Sequence, residues 1–334
     1  MSLTLSDHST INRKQWDEYV NHHEFGTIFL SSAFFDIYQN TPEYKPFALF
    51  AIDSENKIQA LLIGYIQIIS SGLLSAFTKR AVLFNAPIAE NSEGMEYILK
   101  SLIKYLYNKC IYIEIRNHYD LSEFNYVFEQ SGFEYKKHVN ILVDLSKSED
   151  VLYKELAPSR RREINKAIKE GFVFDLDNAV VKNELYSIMK DVYIRAKLPL
   201  VSFEYINQIY KLPEEYYHVC GVLIDNIVVG AVLLICYKDV VYSIYGGCKE
   251  EYFKKRPNDY LFWQVILWAK RQGYKTYDWM GAGNPDIPYG VRDWKKQFGG
   301  EFVSFGRYIY LQHKLLYKIA EFIFTKYRQF RKKK

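Results

Sequence analysis

Residues 218–235 read HVCGVLIDNIVVGAVLLI, His218 to Ile235. An apolar run ending at Ile224, a polar turn at Asp225-Asn226 and a second apolar run from Ile227 make this a β-hairpin. The same plan stands about 170 residues earlier, where two apolar segments within Phe47 to Ile69 flank the turn Asp53-Ser54-Glu55-Asn56. Each hairpin is followed by a further strand candidate, Arg80 to Ala86 in the first copy and Val240 to Tyr245 in the second. Then come a loop, an amphipathic helix (Glu93 to Asn108; Asn258 to Gln272) and a β-branched or aromatic run (Cys110 to Arg116; Lys275 to Met280). One element order used twice implies an internal duplication: an α/β (α+β) protein of two domains, residues 1–145 and 146–334, each a mixed sheet flanked by helices.

The helix of the second copy has Asn258 as a candidate N-cap and Gly273 as its stop. Leu261, Val265 and Ala269 share a face with Phe262 and Ile266, so this helix is expected to pack on a sheet. Between the copies, Ser146 and Glu149 fit a capping box for a short helix that Pro158 ends. Ser159 is a candidate cap for a second helix that Gly171 ends, with Ile164, Ala167 and Ile168 as its buried stripe. Its other face carries the basic ridge Arg162, Lys166 and Lys169, with Arg160 and Arg161 in the first turn. Cations there oppose the helix dipole by a few tenths of a kcal/mol each, in the usual range. Two readings follow: an anion held by guanidinium groups and backbone N–H groups, or a charged face packed against nearby acids.

The 334 residues are 49% hydrophobic and 25% charged, the balance of a globular chain. A formal charge of +5 singles out no nucleic-acid partner by itself. The 30 tyrosines and 22 phenylalanines suit a wet binding cleft as well as a core. Cys110, Cys220, Cys236 and Cys248 have no metal-ligand spacing and read as buried thiols. The seven histidines are scattered, so no metal site is expected. A polar start without a signal-type apolar core, and no apolar run near the roughly 18 to 20 residues of a membrane span, place the chain in the cytoplasm.

Several stretches resemble the FemABX family. They are Trp16-Asp17-Glu18-Tyr19-Val20 with Phe25-Gly26-Thr27-Ile28-Phe29, SRRREINKAIKEG (Ser159 to Gly171), YSIYGG (Tyr242 to Gly247), RPNDYLFWQVILWAKRQGYKTYDWMGAG (Arg256 to Gly283) and WKKQFGG (Trp294 to Gly300). The resemblance implies two tandem GNAT-like domains without the inserted helical arm of some members. It also implies transfer of an amino acid from aminoacyl-tRNA to the stem-peptide amine of a peptidoglycan precursor, with no metal or redox cofactor. The family associates catalysis with the lysine of an F-K-x-x-F-G motif, matched here by Trp294-Lys295-Lys296-Gln297-Phe298-Gly299. Lys295 is therefore the expected catalytic residue, stabilising the tetrahedral oxyanion of acyl transfer.

Lys296 is its rival, since neighbours in an extended segment face opposite ways. Phe298-Gly299-Gly300 reads either as a close approach to a ligand or as a bend. Arg195 resembles a phosphate-contacting arginine of the family. Tyr242 and Tyr245, three apart on a strand, are expected on opposite faces, with Tyr245 favoured because Gly246 and Gly247 leave room beside it. Arg160, Arg161, Lys166, Trp294 and Phe298 complete the expected substrate contacts. One departure concerns the acceptor: residues 30–40 hold no Lys or Arg where family members hold a nucleotide-linked diphosphate with lysine. A lipid-linked precursor therefore stays open beside a muropeptide.

The alternatives are an acyl-CoA-dependent GNAT N-acyltransferase acting on a sugar or amine, and a non-catalytic binding protein on the same fold. CoA is disfavoured because Lys254-Lys255-Arg256-Pro257-Asn258-Asp259 lacks the glycine of a pyrophosphate loop, and proline removes a donor. Near the end, Leu315, Leu316, Ile319, Phe322 and Ile323 form a stripe before a basic tail from Arg328 to Lys334. That helix suits either peripheral contact with an anionic membrane or packing on its own domain.

Overall fold

The computed structural model describes residues 2–67 and 79–319, which fall into two compact units. The first begins with β1 (Thr4–Asp7), α1 (Arg13–His22), α2 (Ser32–Gln39), β2 (Tyr44–Ile52), β3 (Ile58–Gln67), β4 (Arg80–Leu83) and β5 (Ile88–Ala89). It continues with α3 (Ser92–Tyr105), β6 (Tyr112–Arg116), α4 (Asn125–Gln130) and β7 (Glu134–Lys136). The second runs through β8 (Asn140–Asp144), α5 (Glu149–Glu155), α6 (Pro158–Lys169), β9 (Val173–Leu176), α7 (Ala179–Ala196) and α8 (Phe203–Ile209). It then has β10 (Tyr217–Ile224), β11 (Ile227–Tyr237), β12 (Val240–Cys248), α9 (Pro257–Arg271), β13 (Thr276–Asp278), α10 (Gly290–Lys296) and β14 (Glu301–Val303). The last strand, β15 (Arg307–Leu311), lies in the sheet of the first unit.

The two sheets repeat one plan. The first runs β1-β2-β3-β4-β6-β15-β7, and the second, taken from its other edge, β9-β10-β11-β12-β13-β8-β14. In each, one pair is parallel, β4 with β6 and β12 with β13, and its neighbours are antiparallel. The duplication read from the hairpins is therefore present in the strand order. Asp225 and Asn226 close the second hairpin with φ of 52° and 62°, left-handed values that short polar side chains tolerate.

The boundary departs from the expected 145/146. The units are residues 1–137 with 305–334, and residues 138–304. β8 follows the first unit in sequence but pairs with β13 and β14, whereas β15 follows the second unit and pairs with β6 and β7. β8 thus belongs to the continuous stretch 138–304 although it precedes the expected boundary, and only the first sheet takes its sixth strand, β15, from beyond its main stretch of chain.

In the second unit, α6 and α9 cover one face of the sheet, burying Ile164, Ala167, Leu261, Val265, Ile266 and Ala269 against Val222, Val232 and Leu234. α7 covers the other face. It lies close because β10 and β12 offer glycines: a Cβ on Gly221 would stand 2.5 Å from Val181, and one on Gly247 2.5 Å from Val192. All four cysteines are buried.

Local capping differs from expectation. Ser148, not Ser146, caps α5, since Asp144 already holds Ser146 in a turn. α6 starts at Pro158, whose fixed φ suits a first helical position, and Ser159 Oγ instead donates to Gln297 Oε1 at 3.2 Å. Arg256, in left-handed backbone, precedes α9, so Asn258 is its second residue rather than its cap. Ile168 is half exposed. The buried stripe of α6 is Arg160-Ile164-Ala167, at i, i+4 and i+7. Residues 314–319 are helical, and the basic tail lies outside the described residues. Among the described residues no helix is long and apolar enough to cross a membrane.

Candidate active site

β12 and β13 pair in parallel only from Val240 to Tyr242 against Thr276 to Asp278. β12 then runs on to Cys248 while β13 ends, so the strands part at their carboxyl ends, the place where open α/β sheets receive ligands. The chain leaving β13 is held tightly. Met280 takes a left-handed conformation, φ 56°, and its N–H donates to Asp278 Oδ1 at 2.7 Å. Trp279 N–H donates to Ile141 O and Ala282 N–H to Val139 O, fixing the segment to the start of β8. This path aims the Trp279 and Gly281 carbonyls at one point.

Lys295 occupies that point. Its ammonium donates to Trp279 O at 2.7 Å and to Gly281 O at 3.1 Å. An ammonium has three N–H donors, so one is left without an acceptor among the described residues. Burial pushes the Lys295 pKa down to about 8, against the opposing pull of Asp278. Asp278 itself is buried, and that burial raises its pKa to about 6, against the Met280 N–H, Lys295 and Asn140. The two form a coupled pair at the mouth of the parting strands.

The segment 290–296 is helical rather than extended, so the expected alternation does not apply. On a helix, Trp294 and Phe298 fall one turn apart and both point inward. Trp294 packs on Trp279, Phe262 and Phe298, and its indole N–H donates to Asp259 Oδ1 at 3.3 Å. Phe298 is 2% exposed. These two anchor α10, which turns Lys295 to the carbonyls and leaves Lys296 exposed over Phe302. Phe298 is thus a core residue, and the partly buried Trp294 packs against the same core. Gly299 and Gly300, with φ of 84° and 93°, form the bend into β14, and a Cβ on Gly300 would lie 2.6 Å from Leu142 O.

Arg160 also turns inward. It is 5% exposed, ion-paired with Asp259, and donates to Gln297 Oε1 at 3.0 Å. Its guanidinium lies 5.2 Å from the Trp294 ring centroid and 4.9 Å from that of Phe298. Burial, the leading effect, draws its pKa down to about 10. The cation near the start of α6 is thus balanced internally, and Arg160 is not available to an external anion. Lys166 is exposed and Arg161 half-exposed.

Tyr242 and Tyr245 share a face. The register shifts at Leu233/Leu234, so Tyr242 stands opposite Ile235 and Tyr245 opposite Leu233, with Ile244 as the extra residue. A bulge restores the parity that three-residue spacing would break. Tyr242 is buried, in register with Asp278. Tyr245 sits between Tyr193 and Tyr205, each ring centroid 6.4 Å away. The room expected beside it is taken: Gly247 accommodates Val192 of α7, and Gly246 faces Val232. Arg195 lies at the far end of β12, donating to Cys248 O at 3.2 Å, near Glu250 and over Phe253. No contact joins it to Lys295 among the described residues.

Asp278 and Asn140 were not singled out in the sequence. A carboxylate closing a strand, in Tyr277-Asp278-Trp279, was the available signal for the first. The carbonyl cradle had none, because backbone groups carry no sequence signature.

Residues 159–296 match the Acetyltransferase (GNAT) domain family, a region that contains α6, the parting strands and Lys295. A crystal structure of FemX superposes with a TM-score of 0.72 at 14% identity, covering 96% of this chain and 99% of that one. This chain has a FemX-like tandem GNAT fold. The C-terminal domain of a putative lysylphosphatidylglycerol synthetase from Agrobacterium fabrum superposes at 0.59, with 12% identity over 93% and 94% of the two chains. A tandem GNAT protein from the clavulanic acid biosynthesis pathway does so at 0.56, with 7% identity over 93% and 99%. No curated protein sequence matches. Within this GNAT frame the chain is a transferase, and the parting of β12 from β13 is its candidate reaction site.

Proposed function

We propose that the protein is an aminoacyltransferase that moves an amino acid from aminoacyl-tRNA to the stem-peptide amine of a peptidoglycan precursor, muropeptide or lipid-linked. The observation that carries this reading is the Lys295 ammonium, held on two carbonyls with a third donor to give. The sequence resemblance and the FemX-like fold support it.

The acceptor amine attacks the carbonyl carbon of the aminoacyl ester, and the C=O electron pair moves onto oxygen. Lys295 donates its remaining N–H to that oxyanion, where a cation acts most strongly in a site shielded from water. Collapse of the intermediate breaks the bond to the ribose oxygen. The proton lost by the amine ends on that oxygen, giving an amide and a free ribose hydroxyl. Tyr242, Tyr245 and Arg195 are assigned to substrate on this reading. The outer edge of α6, with Arg161 and Lys166, is assigned to tRNA phosphates. Aminoacyl-tRNA is the co-substrate, and no cofactor is invoked.

Acyl-CoA use is the rival. The segment before α9 does not favour it: Pro257 lacks an N–H, Arg256 pairs with Glu163 at 2.7 Å, and Lys255 pairs with Glu170 at 3.7 Å. The deciding assay incubates purified protein with labelled aminoacyl-tRNA and either a UDP-linked muropeptide or a lipid-linked precursor, beside a parallel reaction with acetyl-CoA. Label in an amide of either precursor, with acetyl-CoA left intact, is expected. Tight acetyl-CoA binding with no precursor labelled would overturn the assignment.

A further inference from the structure

We propose that Arg292 is a positioning residue for Lys295: its guanidinium ties α10, which carries the lysine, to the loop that follows the carbonyl cradle, and so fixes where the ammonium stands. The catalytic consequence rests on the aminoacyl-transfer reading, and the brace itself rests on geometry. Arg292 Nη1 donates to Asn284 O at 2.6 Å and Nη2 to Ile287 O at 2.8 Å. Three residues later on the same helix, Lys295 donates to Trp279 O and Gly281 O. Residues three apart are neighbours on a helix surface. One side of α10 therefore closes on the carbonyls of residues 279, 281, 284 and 287.

The other ties on this segment are local or leave its start open. α10 has seven residues and no side-chain cap. Trp294 and Phe298 pin its carboxyl end through their packing on Trp279. At its amino end Ile287 is 59% exposed and Val291 45%, and Tyr289, which leans on Gly283, stays 37% exposed. With so little apolar surface covered there, burial does not fix that end and the polar ties decide. Ile287 N–H donates to Asn284 O and Asp286 N–H to Asn284 Oδ1, bonds that turn the loop on itself without reaching the helix side chains.

An arginine suits this task. The Arg292 side chain is 12% exposed, and Asp293, at 3.9 Å and 67% exposed, is a weak partner in water. A guanidinium largely withdrawn from solvent has to be satisfied by hydrogen bonds, and two backbone carbonyls supply them. Its planar fork sends N–H groups in fixed directions, so it sets the spacing of the Asn284 and Ile287 carbonyls as well as joining them to α10. Without the fork, α10 keeps its aromatic end and loses its amino end. The helix then tilts about Trp294 and Phe298, and the cradle loop shifts against it. A misplacement of about 1 Å costs on the order of 10²-fold in rate.

The test compares the whole wild-type chain with Arg292→Ala and with Arg292→Lys, which keeps the charge without the planar fork. Hydrogen exchange read by mass spectrometry reports the cradle directly, because Met280 N–H is held by Asp278 and Ala282 N–H by Val139 O. We expect exchange to quicken at least tenfold across residues 279–290 in Arg292→Ala, and less in Arg292→Lys, while β10 and β11 keep their protection. Unchanged exchange at 279–290 in both variants would overturn the brace. So would faster exchange spread evenly over β10 and β11 in both, the mark of a general loss of stability. In transfer assays, Arg292→Ala should lower turnover by about 10- to 100-fold with KM for aminoacyl-tRNA nearly unchanged. Millimolar guanidinium should restore part of that turnover by bridging the two vacated carbonyls. Wild-type turnover in Arg292→Ala, or a loss carried by KM alone, would overturn the positioning role. Absence of transfer in the wild type would overturn the functional reading instead, and the exchange comparison, which needs no substrate, would still decide the brace.

Discussion

Replacing Arg160 by methionine tests whether the basic start of α6 serves the fold or a ligand. The side chain is paired with Asp259, whose own side chain is 6% exposed, and it lies over the faces of Trp294 and Phe298. Arg160→Met leaves the Asp259 carboxylate buried with the Trp294 N–H as a distant donor, 3.3 Å away. Removing one member of a buried pair costs about 3–5 kcal/mol, because the remaining charge loses its compensation. The double variant Arg160→Met/Asp259→Leu removes both charges and should regain most of that loss. Urea unfolding followed by tryptophan fluorescence suits the measurement, because Trp263, Trp268, Trp279 and Trp294 all belong to the second unit. A coupling of at least 2 kcal/mol between the two positions is the expected signature. Unchanged stability in Arg160→Met together with a large loss of substrate affinity would refute the structural assignment and restore the anion-site reading.

Three further outcomes follow from the geometry. Glu114, paired with Arg80, Arg116 and Arg307, has a folded-state pKa of about 2 against an ordinary 4.5, so its contribution is fully present above pH 4.5 and is lost as pH falls towards 2. It amounts to about 3 kcal/mol. Acid titration of stability should show the wild type losing its lead over Glu114→Gln across that window, and a lead that persists at pH 2 would contradict the pairing. Gly247→Ala places a methyl 2.5 Å from Val192 and should destabilise by about 1–3 kcal/mol in chemical denaturation, with Val192→Ala as the compensating partner. Because Lys295 acts as a cation and its pKa lies near 8, turnover should decline as pH rises through about 8; a profile still rising at pH 9.5 would contradict its role.

The sequence carried the hairpins, the helix faces and the duplicated order, because apolar period and turn chemistry are local signals. It did not carry the exchange of β8 and β15. Nothing in Asn140–Asp144 or Arg307–Leu311 states that a five-residue strand pairs with a partner more than a hundred residues away. The motif pointed to Lys295, which the structure sets on two backbone carbonyls, while its local structure was misjudged. A seven-residue helix starting at Gly290 without a side-chain cap has no start signal to read. The parity of Tyr242 and Tyr245 failed for a similar reason, since the bulge at Ile244 is set by pairing with β11. Arg160 was read as part of a basic cluster because its partners, Asp259, Trp294 and Phe298, come from distant segments. Burial of an arginine shows only when those segments meet.

The central claim rests on one ammonium. Steady-state transfer of labelled amino acid by Lys295→Met and Lys296→Met, beside thermal unfolding of both, tests it most directly. The account predicts that Lys295→Met lowers turnover by about 10²–10³-fold, the loss typical of removing one oxyanion donor, with little change in Tm. Lys296→Met, changed on the exposed side of the same helix, should keep near wild-type turnover. Full activity in Lys295→Met, or equal losses in the two variants, would contradict the assignment of the cradle at the parting strands as the catalytic centre.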